Sequence, residues 1–296
     1  MNLSKIERGP TTWRMQLLVG SVKCGRVFGT RHWALPGAGR QKIMSQTYTK
    51  EDTAKRYDSA RALPAEALTL AMETLQSSLP LKQVKSVLDL GAGTGRFSQS
   101  LQETFHCPVI AVEPSEAMLA QGKSQRFDNI EWRQGSAENI PLSTNSVDLV
   151  WMCQVFHHLE DPVRAFQEIR RVLVSRGCLA IRNGTRENEV GIEWSSCFPE
   201  AQQIDNERLS SQQDIVNVVC SQGFESIAVQ TVYQLFAASY AEYYEKISQR
   251  GLSSLISISD EAFIAGLKRL KQWVAEQPAE QAVCEPVDLF IFQVNK

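Results

Sequence analysis

No two cysteines in the 296 residues stand in CxxC spacing, and the seven present, at 24, 107, 153, 178, 197, 220 and 284, are odd in number. The chain is far too long for a small disulfide scaffold, so reduced thiols in a cytosol-like compartment are expected, with neither bridges nor a metal site. Long apolar runs are also missing. None approaches the roughly 20 residues of a membrane span, which predicts a soluble, cytoplasmic protein. Internal repeats and low-complexity tracts are absent. Neither sign of charge prevails, the net value being −2. What remains is ordinary globular text, 43% hydrophobic and 22% charged, enough for a sizeable core in one large domain with or without appendages.

The small net charge hides an asymmetry. Residues 1–43 carry eight Lys or Arg against the single acid Glu7, a balance of +7, whereas the remainder sums to −9. This Gly-rich leader has no helical or alternating periodicity and is expected to be poorly ordered. Its apolar stretch LLVG, at 17–20, is shorter than the roughly 7–15 residues of a secretory core. The composition permits an organellar transit peptide (and so organellar import), a nucleic-acid-binding arm, or an extension without function ahead of Met44. The acidic main body argues against nucleic acid as substrate, since phosphate neutralisation needs a basic face.

From Met44 onward periodicity appears, and 44–296 reads as the functional domain. Apolar residues at helical spacing in 51–75, broken before Pro64, predict two helices. Strands are predicted at 85–90, 108–113, 129–133, 147–152 and 177–182, with helices at 94–105, 115–124 and 161–175 between them. Short apolar strands alternating with helices imply an α/β fold, a parallel sheet covered on both faces. After a polar connection over 184–210 come a helix at 211–222, a strand at 224–232, helices at 239–250 and 259–276, and a last strand at 287–294.

The chemistry concentrates at VLDLGAGTGRFS, residues 87–98. A strand that runs into Gly91-Ala92-Gly93-Thr94-Gly95 and then a helix brings bare backbone N–H groups close to a ligand, at the carboxyl edge where open α/β sheets bind. The second strand ends in Glu113, placed to accept both ribose hydroxyls of an adenosine-containing cofactor. A dinucleotide enzyme shares this acid, but its third glycine, which serves close helix–strand packing, is replaced here by Arg96. No Lys-Ser/Thr follows the loop, which excludes a P-loop.

These stretches, with AVEPSEAML (111–119), QGSAENIPLSTNSVDLVWMCQVFHHLEDP (134–162) and the text through IRN at 181–183, resemble class I S-adenosylmethionine-dependent methyltransferases. The closest resemblance is to the small-molecule type 11 branch that includes the ubiquinone/menaquinone-biosynthesis enzymes. It is strong over 48–183 and weaker to 294. It implies a Rossmann-like seven-stranded, mostly parallel sheet of order 3-2-1-4-5-7-6 with helices on both faces, the last strand antiparallel. A helical substrate cap is implied over 184–222 and 233–286. The implied activity is methyl transfer from S-adenosylmethionine to a small-molecule acceptor. A cofactor-binding regulatory protein without catalysis, or an NAD(P)-dependent oxidoreductase, is the alternative.

The resemblance also implies roles. Gly91, Ala92, Gly93 and Gly95 would lie under the methionine and ribose, Asp89 would hold the amino end, and Glu113 would bind the ribose diol. Pro114 and Met118 would flank the adenine, Ser136, Ala137 and Glu138 would cross its edge, and Gln154 would face the methyl end. Ser136 stands where the common pattern has Asp, which removes a charge-assisted contact that Glu138 would have to replace. Tyr57 and Arg61 share a helix face, in a helix that often closes over the cofactor in this branch. They are equally readable as a core tyrosine and a surface ion pair. Methyl transfer needs in-line positioning, and a base only when the acceptor carries a proton. His157 and His158 follow the fourth strand beside the methyl site, with His157 the candidate base and packing at a strand–helix junction the alternative. Phe236, Tyr240, Tyr243 and Tyr244 are candidates to line the cap pocket or simply to pack.

Overall fold

The computed structural model describes residues 63–296 except Arg126, and in addition the two-residue strand Leu18–Val19. Tyr57, Arg61, the rest of the leader and the helix expected before Pro64 lie outside the described residues.

Seven strands carry the fold: β1 (Val87–Leu90), β2 (Val109–Glu113), β3 (Ile130–Gln134), β4 (Val147–Cys153), β5 (Leu173–Asn183), β6 (Phe224–Ala237) and β7 (Val283–Val294). They are arranged β3-β2-β1-β4-β5-β7-β6, the expected order. Neighbours from β3 to β5 run parallel, and β7 alone reverses, antiparallel to both β5 and β6. All four residues of β1 are buried, as a central strand covered on both faces requires. Leu18–Val19 adds a short antiparallel strand outside β6, opposite Thr231 and Gln230.

Helices α1 (Ala65–Ser78) and α2 (Ser98–Phe105) cover one face, where Leu75, Phe97 and Leu101 pack with Leu149, Trp151 and Ala180. After β2 comes α3 (Glu116–Ser124), capped by Ser115. On the other face lie α4 (Pro162–Val172) and, after α5 (Pro199–Arg208), α6 (Gln212–Ser221), with Phe166, Ile169, Ile215 and Val219 against Leu88, Val150 and Phe290.

A third core sits beyond the sheet. It joins Trp194, Phe198 and Ala201 to α7 (Tyr240–Ser248), α8 (Ser253–Ser257) and α9 (Asp260–Ala275). Beyond Thr231 and Asp288 the β6–β7 ribbon continues to Ala237 and Val283, past the end of β5, and this core packs on it.

Several expectations change. The helix expected to 175 stops at Val172 and the chain enters β5 at once, because the β-branched Val172 and Val174 and then Gly177 favour extension. The "polar connection" contains a turn of 3-10 helix at Ser195–Cys197 and all of α5. That helix buries only Ala201 and Asp205, so its sequence carries no apolar stripe. α6, counted with the cap in the sequence reading, instead packs on the sheet.

Candidate functional site

The turn after β1 is held by its own backbone. The N–H groups of Gly91 and Ala92 both donate to the Val112 carbonyl of β2, at 2.8 and 3.1 Å, and Ser98 N–H donates to Gly95 O at 3.0 Å. Gly91 and Gly93 adopt φ of 74° and 60°. Their surroundings differ. A Cβ on Gly91 would lie 2.4 Å from Val155 Cγ2, whereas one on Gly93 would meet nothing within 4 Å. Gly91 is therefore required by packing, while Gly93 borders open space. Gly95 abuts Trp132, whose ring would be 2.7 Å from an added Cβ. Arg96, in place of the third dinucleotide-motif glycine, lies over the Phe97 ring, 5.1 Å from its centroid.

Two buried acids stand behind the turn. Ser98 Oγ donates to Asp89 Oδ2 at 2.7 Å. Burial pushes the Asp89 carboxyl up to about 7; the nearby Glu113 adds to the rise, and the Ser98 bond and Arg96 oppose it. Glu113 bridges the loop ends: Gly93 N–H donates to Oε2 and Ser115 N–H to Oε1, each at 2.9 Å. Burial raises the Glu113 pKa and these two backbone bonds pull it back. The acid read as a ribose ligand thus also fixes the glycine loop.

Around this centre the other expected residues separate into groups. Pro114 is exposed, Met118 is buried, and Met118 N–H donates to the Ser115 cap at 3.4 Å. Ser136 forms a one-residue bridge with Asn139, and Ala137 is buried in the sheet core. The Glu138 carboxylate accepts Glu160 N–H at 3.0 Å and Asp161 N–H at 3.5 Å, so it braces the loop ahead of α4. Gln154, at the end of β4, has φ of 58°, an uncommon state for a non-glycine that accumulates at functional sites. Its N–H donates to Arg182 O at 2.8 Å, and its Oε1 accepts Gly184 N–H at 3.3 Å. His157 and His158 occupy a 3-10 turn just beyond, half-buried, with ring centroids 4.2 Å apart. Tyr240 and Tyr243 are buried in the third core, Tyr240 edge-on to Trp273 at 5.1 Å, and with Phe236 they build that core. Among the described residues no group of His, Cys, Asp or Glu is arranged to hold a metal ion, and no helix is long and apolar enough to cross a membrane.

Arg182, the penultimate residue of β5, was not singled out from the sequence. It is 4% exposed. Its guanidinium donates to Cys153 Sγ at 3.2 Å and to Gln234 Oε1, and it lies 5.3 Å from the Phe97 ring centroid. The signal was a lone charge inside the apolar run CLAIRN, at the carboxyl end of a strand.

Sheet order, glycine turn and acid-ended second strand together define a Rossmann-like fold. Residues 88–181 match the family model described as a methyltransferase domain, type 11. An uncharacterized methyltransferase of Mycobacterium bovis is 40% identical over 107 residues, 36% of this chain and 43% of that protein. The malonyl-acyl-carrier-protein O-methyltransferase of a Marinomonas species is 35% identical over 135 residues, 43% of this chain and 50% of that protein. The chain thus spans half or less of the length of these curated relatives. A solved phosphoethanolamine N-methyltransferase of Haemonchus contortus superposes with a TM-score of 0.57 at 18% identity, covering 86% of this chain and 60% of that one. This last likeness is one of fold.

Proposed function

We propose that the protein transfers a methyl group from S-adenosylmethionine to a small-molecule acceptor. The observation that carries this reading is the open space at Gly93 beside the buried Glu113 carboxylate. Backbone without a side chain admits a ligand there, and an acid with acceptor capacity beyond its two backbone bonds suits a ribose diol. The residues therefore fit the cofactor that the methyltransferase family uses.

When bound, the sulfonium supplies an electrophilic methyl group, transferred in line to the acceptor's lone pair as the sulfur departs with the bonding electrons. The chain's part is positional. Gly91 and Gly93 would seat the methionine and ribose, Glu113 would orient the diol, and Gln154 at the strand end would border the methyl. Where the acceptor carries a proton, His157 is the residue we assign to remove it. The cap stands on the carboxyl edge, on the β5–β7–β6 side. From there, with the segment that includes Tyr57 and Arg61, it would exclude water and limit acceptors to metabolite size. The thiol-rich, span-free sequence supports a cytoplasmic setting.

The direct test incubates the protein with methyl-labelled cofactor and a metabolite extract and identifies the labelled product. Calorimetry provides the companion measurement: S-adenosylhomocysteine should bind and NADH should not. Glu113→Ala should weaken S-adenosylhomocysteine about tenfold or more, the usual effect of losing hydrogen bonds to a charged group. NADH binding without S-adenosylhomocysteine binding would sink the proposal.

A further inference from the structure

Asp288 is an acid in the interior of the sheet. It stands on β7, is fully buried, and has no ion pair with Lys, Arg or His among the described residues. Hydroxyls hold its carboxylate from two sides: Thr185 Oγ1 donates to Oδ2 and Thr231 Oγ1 to Oδ1, each at 2.6 Å. Bonds this short are those of a charged acceptor. Burying a charge without a cation is costly. Nor is the surrounding network saturated, because Asn183 Oδ1 and Asn188 Nδ2 are buried and hold no hydrogen bond among the described residues. Stability alone would place an apolar residue here, so the acid is present for what it holds.

What it holds is the junction between the sheet and the third core. Asn183 and Asp288 are the last pair of β5 with β7, and Asp288 also faces Thr231 of β6. The carboxylate therefore lies where the β6–β7 ribbon leaves the sheet. Thr185 lies on the segment by which the chain leaves β5 for Trp194 and Phe198. This exit in turn holds Gln154, whose φ of 58° is a state that persists only where the surroundings impose it. Two hydrogen bonds from the end of β5 do so: Gln154 N–H donates to Arg182 O at 2.8 Å, and its Oε1 accepts Gly184 N–H at 3.3 Å. Gly184 is thus clasped between Gln154 and the residue that Asp288 anchors. Val155, next in the chain, abuts Gly91 of the cofactor turn, so a shift here is felt at the site.

We propose that Asp288 is a positioning residue for methyl transfer: it fixes Thr185, through it Gly184, and through Gly184 the Gln154 side chain beside the transferred methyl. The proposal deepens the methyltransferase reading and rests on it for the methyl.

Thr185→Val and Thr231→Val each take one hydroxyl from the same carboxylate and keep the side-chain shape, so a purely structural role for Asp288 would make them alike. Amide hydrogen exchange at Gly184, followed by NMR in the full-length protein, should quicken roughly fivefold to tenfold in Thr185→Val and stay as in wild type in Thr231→Val. Thr185→Ser, which keeps the hydroxyl, should keep the protection. With methyl-labelled S-adenosylmethionine and the metabolite extract, Gln154→Ala should lower product formation about tenfold or more and Thr185→Val roughly fivefold to tenfold. The double variant should lose no more than Gln154→Ala alone, because both changes break one chain of contacts. S-adenosylhomocysteine affinity should be unchanged in Thr185→Val, since the glycine turn is untouched. Should Thr185→Val not fold, Asp288→Asn, which removes the charge and one acceptor, decides on the same readouts. Equal exchange at Gly184 in the two valine variants, or additive losses in the double variant, overturns the positioning role. A wild-type protein that binds no S-adenosylhomocysteine and labels no product, with the Gly184 difference intact, would overturn the methyltransferase reading and leave the anchoring of β5 standing.

Discussion

Over β1 the carboxyl edge of the sheet is shaped by backbone: three glycines at positive φ, a carbonyl of β2 that takes two N–H groups, and an acid that ties the turn to its neighbour. Over β6 and β7 the same edge is shaped by side chains. There the ribbon outgrows the sheet, and Trp194, Phe198, Tyr240, Tyr243 and Phe263 close a separate core on it. The first region needs particular backbone states at a few adjacent positions. The second needs only apolar volume, assembled from segments far apart in the chain. The first should therefore break abruptly under small changes, and the second should yield gradually and by itself.

Glycine substitutions give the largest expected effect. Gly91→Ala combines a left-handed backbone, which costs an L-residue about 1–2 kcal/mol, with overpacking against Val155. The loss in urea unfolding should total roughly 2–5 kcal/mol. Gly93→Ala carries only the backbone component, about 1–2 kcal/mol, yet should cut S-adenosylhomocysteine affinity tenfold or more because its new methyl enters the ligand's space. Equal stability losses in the two variants, or intact binding by Gly93→Ala, would refute the division between a packing glycine and a ligand glycine.

In the cap, Tyr243→Phe is the matching probe. The Tyr243 hydroxyl accepts Trp194 N–H at 3.0 Å and donates to Glu285 at 3.2 Å. Its removal strands a buried N–H, at a cost of about 1–3 kcal/mol. The KM for acceptor should rise while S-adenosylhomocysteine affinity stays put. A parallel loss of both would mean that the cap and the glycine turn are one cooperative unit.

The contrast also explains what could be read from sequence. GAGTG after VLDL, Glu113 at the end of β2 and the alternation through IRN are local signals; they mark the loop and a parallel sheet, and the family resemblance they carry implied the sheet order that is found. α5 was hidden because it buries an alanine and an aspartate and so shows no stripe. The strand extensions to Ala237 and from Val283 depend on each other's register, information that neither segment holds alone. The resemblance implied an adenine-edge role for Glu138, and nothing local showed that its carboxylate accepts N–H groups 22 and 23 residues onward. Arg182 gains meaning only when β4, β5, β6 and the turn before α2 bring Cys153, Gln234 and Phe97 to it.

A smaller, continuous effect is expected with pH. Burial raises Asp89 in the folded state to about 7, above its ordinary 3.8, so the folded protein binds more protons between those values. The stability associated with this carboxyl is fully present below about 4 and is lost as pH rises towards and through 7, with a slope of at most about 1.4 kcal/mol per pH unit. Asp89→Asn should flatten that part of the profile, read as the difference between wild-type and variant urea midpoints from pH 5 to 8. Parallel profiles would show that Asp89 is not the group responsible.

The smallest effect is expected at the outer edge of β6, where the two regions share a strand. Leu18 and Val19 pair with Thr231 and Gln230. Those two partners hold other bonds that do not involve the leader: Thr231 Oγ1 donates to Asp288 and Gln230 Nε2 donates to Ser78 Oγ, both at 2.6 Å. β6 is also zipped to β7 from Phe224 to Ala237. A chain beginning at Met44 should therefore lose no more than about 0.5 kcal/mol, the usual bound for a surface change, and melt within roughly 2 °C of the full chain. Its affinity for S-adenosylhomocysteine should match as well. One difference is expected, weak self-association at high concentration, because an uncovered strand edge offers unpaired N–H and C=O groups to another copy. Light scattering against concentration reads that difference. Loss of cooperative melting would instead show that the leader packs on the domain and that the β6 edge depends on it.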